Sequence, residues 1–175
     1  MVAMHQHKSW LWGPLSRLGI GTAIASAVID QAHKWWMLYV YQIQDKGRVP
    51  VLSWLDLKFE LNTGVSYGLF PMNSQAGQWF WAGFAALAVL AMTLWLARGV
   101  STRLVAVSLG LIMGGAGSNA IDRLALGGVA DFFSMHAYGY YWYVFNIADM
   151  AIVAGVVGLI YDSLVVSRKE ASKDH

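Results

Sequence analysis

The sequence contains no cysteine, and this absence excludes several chemistries before any motif is considered. Disulfides, thiolate metal ligands and a cysteine nucleophile are all impossible in a chain of 175 residues without Cys. Charge is also scarce, because charged residues make up only 13% of the chain and leave a formal net charge of +2. So small a positive charge, scattered along the sequence, argues against a nucleic-acid-binding surface. Any reaction at this chain must therefore use oxygen and nitrogen groups.

Apolar residues are abundant, at 57% of the chain with nine Trp, and the mean hydropathy is +0.47. This composition is typical of an integral membrane protein rather than of a soluble domain. Four apolar runs, at about 15–36, 78–97, 104–121 and 146–166, each approach the roughly 20 residues that cross a bilayer. We therefore expect a mainly α integral membrane protein with four transmembrane helices and a single domain over residues 1–175.

The first apolar run is interrupted by two charges. Asp30 and Lys34 are four residues apart, so they share one face of a helix and could pair there. A cleaved signal peptide ending near residues 25–27 is the alternative interpretation of this run. It is less favoured because the apolar core continues beyond the small residues and Trp35 and Trp36 then resemble an interfacial belt.

Four spans place both termini on one side of the membrane, and the basic residues indicate that this side is cytoplasmic. Seven of the twelve Lys and Arg residues fall on the terminal side. The short link between the second and third spans also carries Arg98 and Arg103, which favours a cytoplasmic position for it. The long link at about 37–77 then lies on the outer side.

The two outer links differ in pattern. Apolar and polar residues alternate in part over 49–61, which predicts short strands and a small outer-face β-sheet between helices 1 and 2. The second link, 122–144, is crowded with aromatic residues and is interpreted as an interfacial segment. Its part at 133–143 could act as a lid over a site.

Polar residues cluster at the outer ends of the predicted spans, where a charge is costly unless it has a use. Asp122 beside Arg123 could be a structural ion pair, and Asn146 could cap the last helix with Asp149 in its first turn. The clustered residues are Asp30, Asn119, Asp122, Arg123, Asp131, Asn146 and Asp149.

Capping does not explain Asp131, a lone carboxylate between apolar neighbours, where desolvation should raise its pKa. If Asp131 and Asp149 face each other, their like charges should force them to share a proton. An ionised carboxylate can then take a proton from water while a protonated partner donates to a peptide carbonyl. The sequence therefore favours aspartyl protease chemistry.

Other site types are less well supported. His33 and His136 lack the spacing of a zinc site, and Ser66 and Ser118 lack a histidine partner at recognisable spacing. No glycine-rich phosphate loop with lysine is present. We expect no metal and no cofactor.

The chain resembles the lipoprotein signal peptidase family, also called signal peptidase II, over about residues 29–157. Five segments carry the resemblance, in the family's order: "DQAHK" at 30–34, "NTGVSYG" at 62–68, "GGAGSNAIDR" at 114–123, "VADF" at 129–132 and "FNIAD" at 145–149.

The resemblance implies that Asp131 and Asp149 are the catalytic dyad, in agreement with the pair reached from the residues. It implies substrate-binding or supporting roles for a further set of residues. These are Asn62, Gly64, Asn119, Asp122, Arg123, Asn146, Ala148, Asp30 and Lys34.

The resemblance also implies a substrate and a location. The expected substrate is a diacylglyceryl-modified prolipoprotein, cut on the amino side of the modified cysteine. The expected site is the bacterial cytoplasmic (inner) membrane, with both termini cytoplasmic, the dyad near the outer face and membrane lipid around a chain taken as a monomer.

The chain departs from the family pattern at Val65, Ser66, Gly117 and Ser118. None of these residues titrates near neutral pH, so the departures bear on substrate preference or helix packing. Two other functions remain open, a non-catalytic paralogue that binds lipidated peptides and a small transporter or proton-relay protein. The prepilin-peptidase type of aspartyl protease is disfavoured because its Gly-x-Gly-Asp signature is absent.

Overall fold

Four helices and a four-stranded sheet make up the part of the chain that the computed structural model describes, residues 12–64, 72–100 and 102–171. The mainly helical class with a small antiparallel sheet is as predicted. The elements in chain order are α1 (Ser16–Trp35), β1 (Val49–Leu52), β2 (Leu55–Asn62), α2 (Gln75–Arg98), α3 (Arg103–Leu126), β3 (Val129–Ala137), β4 (Tyr140–Phe145) and α4 (Ile147–Ala171).

Three of the described helices, α2, α3 and α4, are long and apolar enough to cross a membrane. The first helix does not reach the same apolarity, because Arg17, Asp30 and Lys34 fall within its twenty residues. It ends in a π-helical turn at Trp36–Val40. The sequence and structure therefore agree on a membrane protein with three strongly apolar helices and a fourth, more polar one.

Three helices extend beyond their predicted ends: α4 runs to Ala171 rather than to 166, and capping residues account for the other two differences. The second helix begins at Gln75 rather than at 78, since the Ser74 side chain accepts a hydrogen bond from Gly77 N at 3.1 Å. The third runs to Leu126 rather than to 121 and stops at Gly127, whose φ of 77° lies in the left-handed region that favours glycine at a helix end. Asp122 and Arg123 consequently lie inside α3.

The third helix is central and packs against each of the other three. Small residues make this possible: a Cβ on Gly115 would lie 2.5 Å from the Ala148 carbonyl oxygen, so α4 could not approach as closely. Among the described residues α2 and α4 make almost no contact with each other. A gap between them is left open beside α3.

The sheet draws its strands from the link between α1 and α2 and from the link between α3 and α4. Its order is β1-β2-β3-β4, with antiparallel neighbours throughout. Strands β1 and β2 lie in the 37–77 link as predicted. The 122–144 link, for which the sequence predicted an interfacial position but no secondary structure, contains the end of α3 followed by a β-hairpin. Tyr138 and Gly139, with φ of 51° and 82°, form its tight turn.

The third strand fixes the orientation of Asp131. Ala130 and Phe132 are fully buried in an apolar cluster with Met37, Leu38 and Ile43. Because side chains alternate along a strand, Asp131 faces the opposite side, toward the ends of α3 and α4. The site therefore forms where the sheet meets these helix ends.

Candidate active site

Asp131 is a buried carboxylate held by two amide groups. Its side chain is only 1% exposed, and it accepts hydrogen bonds from Asn146 Nδ2 at 2.6 Å and from Asn62 Nδ2 at 3.2 Å. Burial raises the pKa of Asp131 from its ordinary value to about 7, and the negative charge of Asp149 adds to the rise. The two amide hydrogen bonds and Lys34 act in the opposite direction. Near neutral pH this carboxyl is thus poised between its two protonation states.

Asp149 lies in the first turn of α4 and is held by Asn119 and Asn146. Asn119 Nδ2 donates to Asp149 Oδ1 at 2.9 Å, and the backbone N–H of Asn146 donates to Asp149 Oδ2 at 3.2 Å. In return, the backbone N–H of Asp149 donates to Asn146 Oδ1 at 2.9 Å. This reciprocal pattern is a capping box that starts α4 and fixes the carboxylate at the same time.

Asn146 joins the two aspartates. It is fully buried; its Oδ1 is occupied by the helix cap, so its Nδ2 is left to donate to Asp131 at 2.6 Å and to Asn119 Oδ1 at 3.2 Å. From the sequence, capping and a role in the pocket were alternatives for Asn146. In the structure its side chain does both: Oδ1 caps α4, and Nδ2 donates to Asp131.

A buried ion cluster lies behind the aspartates. Lys34 Nζ is 2.6 Å from Asp30 Oδ2 and 2.8 Å from Asp122 Oδ2, and all three side chains are almost completely buried. The predicted pairing of Asp30 with Lys34 is therefore present. The suggested pairing of Asp122 with Arg123 is wrong, because the ionic partner of Asp122 is Lys34 on another helix.

Each carboxylate of this cluster also holds a backbone group next to one of the candidate catalytic aspartates. Asp122 Oδ2 accepts from Ala130 N at 3.1 Å, just before Asp131. Asp30 Oδ1 accepts from Ala148 N at 2.9 Å, just before Asp149.

The lysine of the cluster also contacts the site directly, through Asn119. Lys34 Nζ donates to Asn119 Oδ1 at 3.0 Å, and Asn119 in turn donates to Asp149. The cluster therefore sets the relative position of β3, α3 and the start of α4.

Arg123 and the turn after β2 close another side of the site. Arg123 Nη2 donates to the Gly64 carbonyl at 2.7 Å, and Gly64 N donates to Asn62 Oδ1 at 3.0 Å. The Asn62 amide is thereby oriented with its Nδ2 toward Asp131. The Arg123 Nε atom is buried without a partner among the described residues, which leaves one donor of the guanidinium unused.

A cavity of about 180 Å³ lies against these groups and occupies the gap between α2 and α4. Its polar lining combines a carboxylate, a guanidinium and amides, which can hold the N–H and C=O groups of an extended peptide. The lining residues are Asn62, Asn119, Arg123, Tyr143, Asp149 and Trp81, with Phe84, Ala85, Ala116, Val129 and Ile152 on the apolar side.

Three residues with structural roles at the site were not identified from the sequence. Gln78 is buried, and its Nε2 donates to the carbonyls of Thr63 and Met72 at 2.8 and 2.6 Å. Gln31 Nε2 donates to Asp122 Oδ1 at 2.8 Å, and Ser118 Oγ donates to Asp30 Oδ2 at 2.7 Å. A polar residue on the inward face of an apolar helix was the only sequence signal for them.

The residues that depart from the family pattern differ in their surroundings. Ser118 is buried in the ion cluster, whereas a Cβ on Gly117 would meet nothing within 4 Å. Val65 and Ser66 lie outside the described residues. Within the described ranges no group of three His, Asp or Glu side chains is arranged to hold a metal ion.

Comparison of the sequence with known proteins identifies close relatives. Residues 22–165 match the family described as signal peptidase (SPase) II. A lipoprotein signal peptidase of Rhodopseudomonas palustris (strain TIE-1) is 51% identical over 85% of this chain and 93% of its own length. One from Nitrobacter hamburgensis is 47% identical over the same shares.

The fold is also similar to solved structures. One described as a bacterial membrane enzyme, determined by the in meso method, has a TM-score of 0.71 at 24% identity, over 86% of this chain and 89% of that chain. A second with the same description has a TM-score of 0.68 at 25% identity, over 84% and 92%. By the extent of its sequence match, this chain belongs to the signal peptidase II family.

Proposed function

We propose that the chain is an aspartic endopeptidase that removes the signal peptide from lipid-modified prolipoproteins. The family and the relatives named lipoprotein signal peptidase support the substrate class. In this proposal the enzyme cuts on the amino side of the diacylglyceryl cysteine, and Asp131 and Asp149 activate water for the attack.

The observation that carries the mechanism is the contact of both aspartates with Asn146. Asn146 donates to the Asp131 carboxylate through its side-chain Nδ2 and to the Asp149 carboxylate through its backbone N–H, so one residue holds both carboxyl groups. With a pKa of Asp131 near 7, the pair can hold a single proton at neutral pH, and the proton belongs to the pair rather than to one residue.

A single shared proton suits both halves of peptide hydrolysis. The ionised carboxylate takes a proton from the attacking water, which adds to the scissile carbonyl carbon, while the protonated carboxyl donates to the carbonyl oxygen. Proton return to the leaving nitrogen then breaks the C–N bond. The peptide and the two carboxyl groups are held in position, in this proposal, by the side chains of Asn62, Asn119, Asn146 and Arg123.

We place the chain in the bacterial cytoplasmic membrane with four spans, cytoplasmic termini and the dyad near the outer face. The three strongly apolar helices support the membrane location, and α1 packs along α3 as a fourth span would. Arg98 and Arg103 bracket the short link between α2 and α3 and favour a cytoplasmic position for it. At the outer face, water reaches the scissile bond while acyl chains stay in lipid.

A proton relay is less well supported, because a relay needs titrating groups across the whole bilayer. Asp162 accepts a hydrogen bond from Thr102 at 2.7 Å, at the opposite end of the bundle from the dyad. Thr102 precedes Asn119 by seventeen residues of α3, which corresponds to roughly 25 Å of helix. The spans carry no carboxylate between these levels.

The test of the proposed function uses the full-length chain in detergent or lipid with two forms of one prolipoprotein. We expect cleavage of the diacylglyceryl-modified form, with the modified cysteine at the new N-terminus by mass spectrometry, and no cleavage of the unmodified form. Binding of modified substrate without cleavage would favour the non-catalytic paralogue. Equal cleavage of both forms would refute the substrate class.

A further inference from the structure

A second cavity also touches Asp149. It measures about 350 Å³ and lies between the β3–β4 hairpin and α4; we call it the hairpin groove. Asp149 and Tyr143 line both cavities, so the two meet at one of the proposed catalytic carboxylates. The remaining lining of the hairpin groove is Met135, Trp142, Phe145, Met150, Val153 and Ala154.

The two cavities differ in chemistry. Asn62, Asn119 and Arg123 give the smaller cavity several polar groups that can pair with a peptide backbone. Apart from Asp149 and the Tyr143 hydroxyl, the hairpin groove offers apolar side chains and the Trp142 ring. A peptide backbone placed there would leave most of its N–H and C=O groups unpaired, whereas a hydrocarbon chain needs no such partners.

The groove is also placed and shaped for a ligand that arrives from the bilayer. Asp149 and Val153 lie one turn apart on α4, with Met150 and Ala154 beside them in the same spacing, so the groove extends roughly 6 Å along the helix away from the carboxylate. Met150 and Val153 are 54% and 57% exposed on a helix apolar enough to span the membrane. The groove therefore opens sideways to the hydrocarbon, and its two methionines can adapt to a flexible chain.

We propose that the hairpin groove holds an acyl chain of the substrate's diacylglyceryl group, while the peptide on the amino side of the scissile bond occupies the smaller cavity. This inference rests on the proposed function, because a lipid-modified cysteine places acyl chains immediately beside the scissile bond. The volume of the groove lies within the range of about 300–1,000 Å³ typical of ligand pockets. Tyr143 and Asp149 would then separate the lipid side from the peptide side at the point of cleavage.

The test compares substrates that differ only in acyl length, a dipalmitoyl and a diacetyl form of one modified prolipoprotein. Val153→Trp should fill the groove and raise KM for the dipalmitoyl form about tenfold or more, with little change for the diacetyl form. Val156→Trp is the matched control, since Val156 is an exposed residue of the same helix outside the groove lining. An equal rise of KM for both substrates, or the same rise in the control, would overturn the assignment.

A binding measurement keeps the inference testable if Val153→Trp folds poorly. Dipalmitoyl substrate with a photoreactive group in one acyl chain is bound to the Asp131→Asn protein, cross-linked, digested and mapped by mass spectrometry. We expect labels on Met135, Met150 or Val153, reduced by Ala154→Leu. Labels found only on α2 would refute the substrate acyl site. So would labelling of the groove that ordinary phospholipid or unmodified prolipoprotein blocks as effectively as the modified substrate does. Wild-type protein that cleaves no substrate would instead refute the proposed function.

Discussion

Asn146 and Asp149 hydrogen-bond to each other in both directions, with Asn146 N donating to Asp149 Oδ2 at 3.2 Å and Asp149 N donating to Asn146 Oδ1 at 2.9 Å. The same Asn146 side chain donates to Asp131 at 2.6 Å. A helix cap is therefore also the link between the two carboxylates proposed to cut the peptide bond.

Asn146→Ser should preserve the helix cap but remove the donor to Asp131. Serine is a good N-cap residue, so the helix start should be kept, and the free energy of unfolding should fall only by the roughly 1–3 kcal/mol expected when a buried acceptor loses its donor. Cleavage should fall on the order of 10²-fold, as is typical when a catalytic group is misplaced. Thermal unfolding and steady-state rates measure the two effects. Asn146→Ala should be inactive and also less stable than Asn146→Ser, and a fully active Asn146→Ser protein would contradict the linking role.

The pH dependence of stability should report the buried carboxyl of Asp131. Its pKa is raised from 3.8 to about 7, so the folded protein binds this proton more tightly than the unfolded chain does. The resulting stabilisation is complete below about pH 4, falls as pH rises to about 7 and is constant above that.

The measurement is thermal unfolding across this pH range for wild type and Asp131→Asn, which cannot titrate at this position. The wild type should lose stability relative to the variant between about pH 4 and pH 7. Parallel pH curves for the two proteins would mean that the pKa of Asp131 is not raised.

Lys34→Met should be strongly destabilising, because it leaves Asp30 and Asp122 buried together without their cation. Loss of one partner of a buried ion cluster typically costs about 3–5 kcal/mol. Lys58→Met is the matched control, since the Lys58–Glu60 pair at 2.5 Å is partly exposed and should contribute about 1 kcal/mol or less. Similar unfolding temperatures for the two variants would show that the buried cluster contributes no more than a surface pair.

Gln78→Leu should destabilise the chain just after β2, at Thr63, and just before α2, at Met72. It removes the donor to the carbonyls of Thr63 and Met72, at a cost of about 1 kcal/mol for each hydrogen bond. Because Thr63 follows Asn62, which contacts Asp131, we also expect kcat to fall. Gln75→Leu, at an exposed position of the same helix, should alter neither quantity. Equal behaviour of the two variants would argue against a positioning role for Gln78.

The helices, the first two strands and the aspartate pair could be predicted from the sequence, because they depend on local residue patterns and on the absence of other catalytic motifs. Apolar run lengths gave the four helices, alternation over 49–61 gave the first two strands, and the lack of Cys and of other catalytic patterns left Asp131 and Asp149 as the candidate pair. The second hairpin was missed because β3 is buried at nearly every position near its start and so lacks the two-residue alternation. Its aromatic residues and the Tyr138-Gly139 turn were the available signals.

Long-range pairings could not be predicted in the same way. Asp122 has Arg123 beside it in sequence, but consecutive residues of a helix point in different directions, and Lys34 on α1 is the partner instead. The roles of Gln78 and Ser118 likewise depend on which helix face turns inward, and periodicity is weak in helices that are apolar all round.

The most direct test of the account is cleavage of a diacylglyceryl-modified prolipoprotein by Asp131→Asn and Asp149→Asn, measured beside Asp45→Asn, an exposed carboxylate outside the site. We expect each of the first two variants to remain folded and to lose at least about 10²- to 10⁴-fold in rate, the usual contribution of acid–base catalysis. The Asp45→Asn protein should keep the wild-type rate. A folded Asp131→Asn or Asp149→Asn protein that cleaves at the wild-type rate would contradict the dyad.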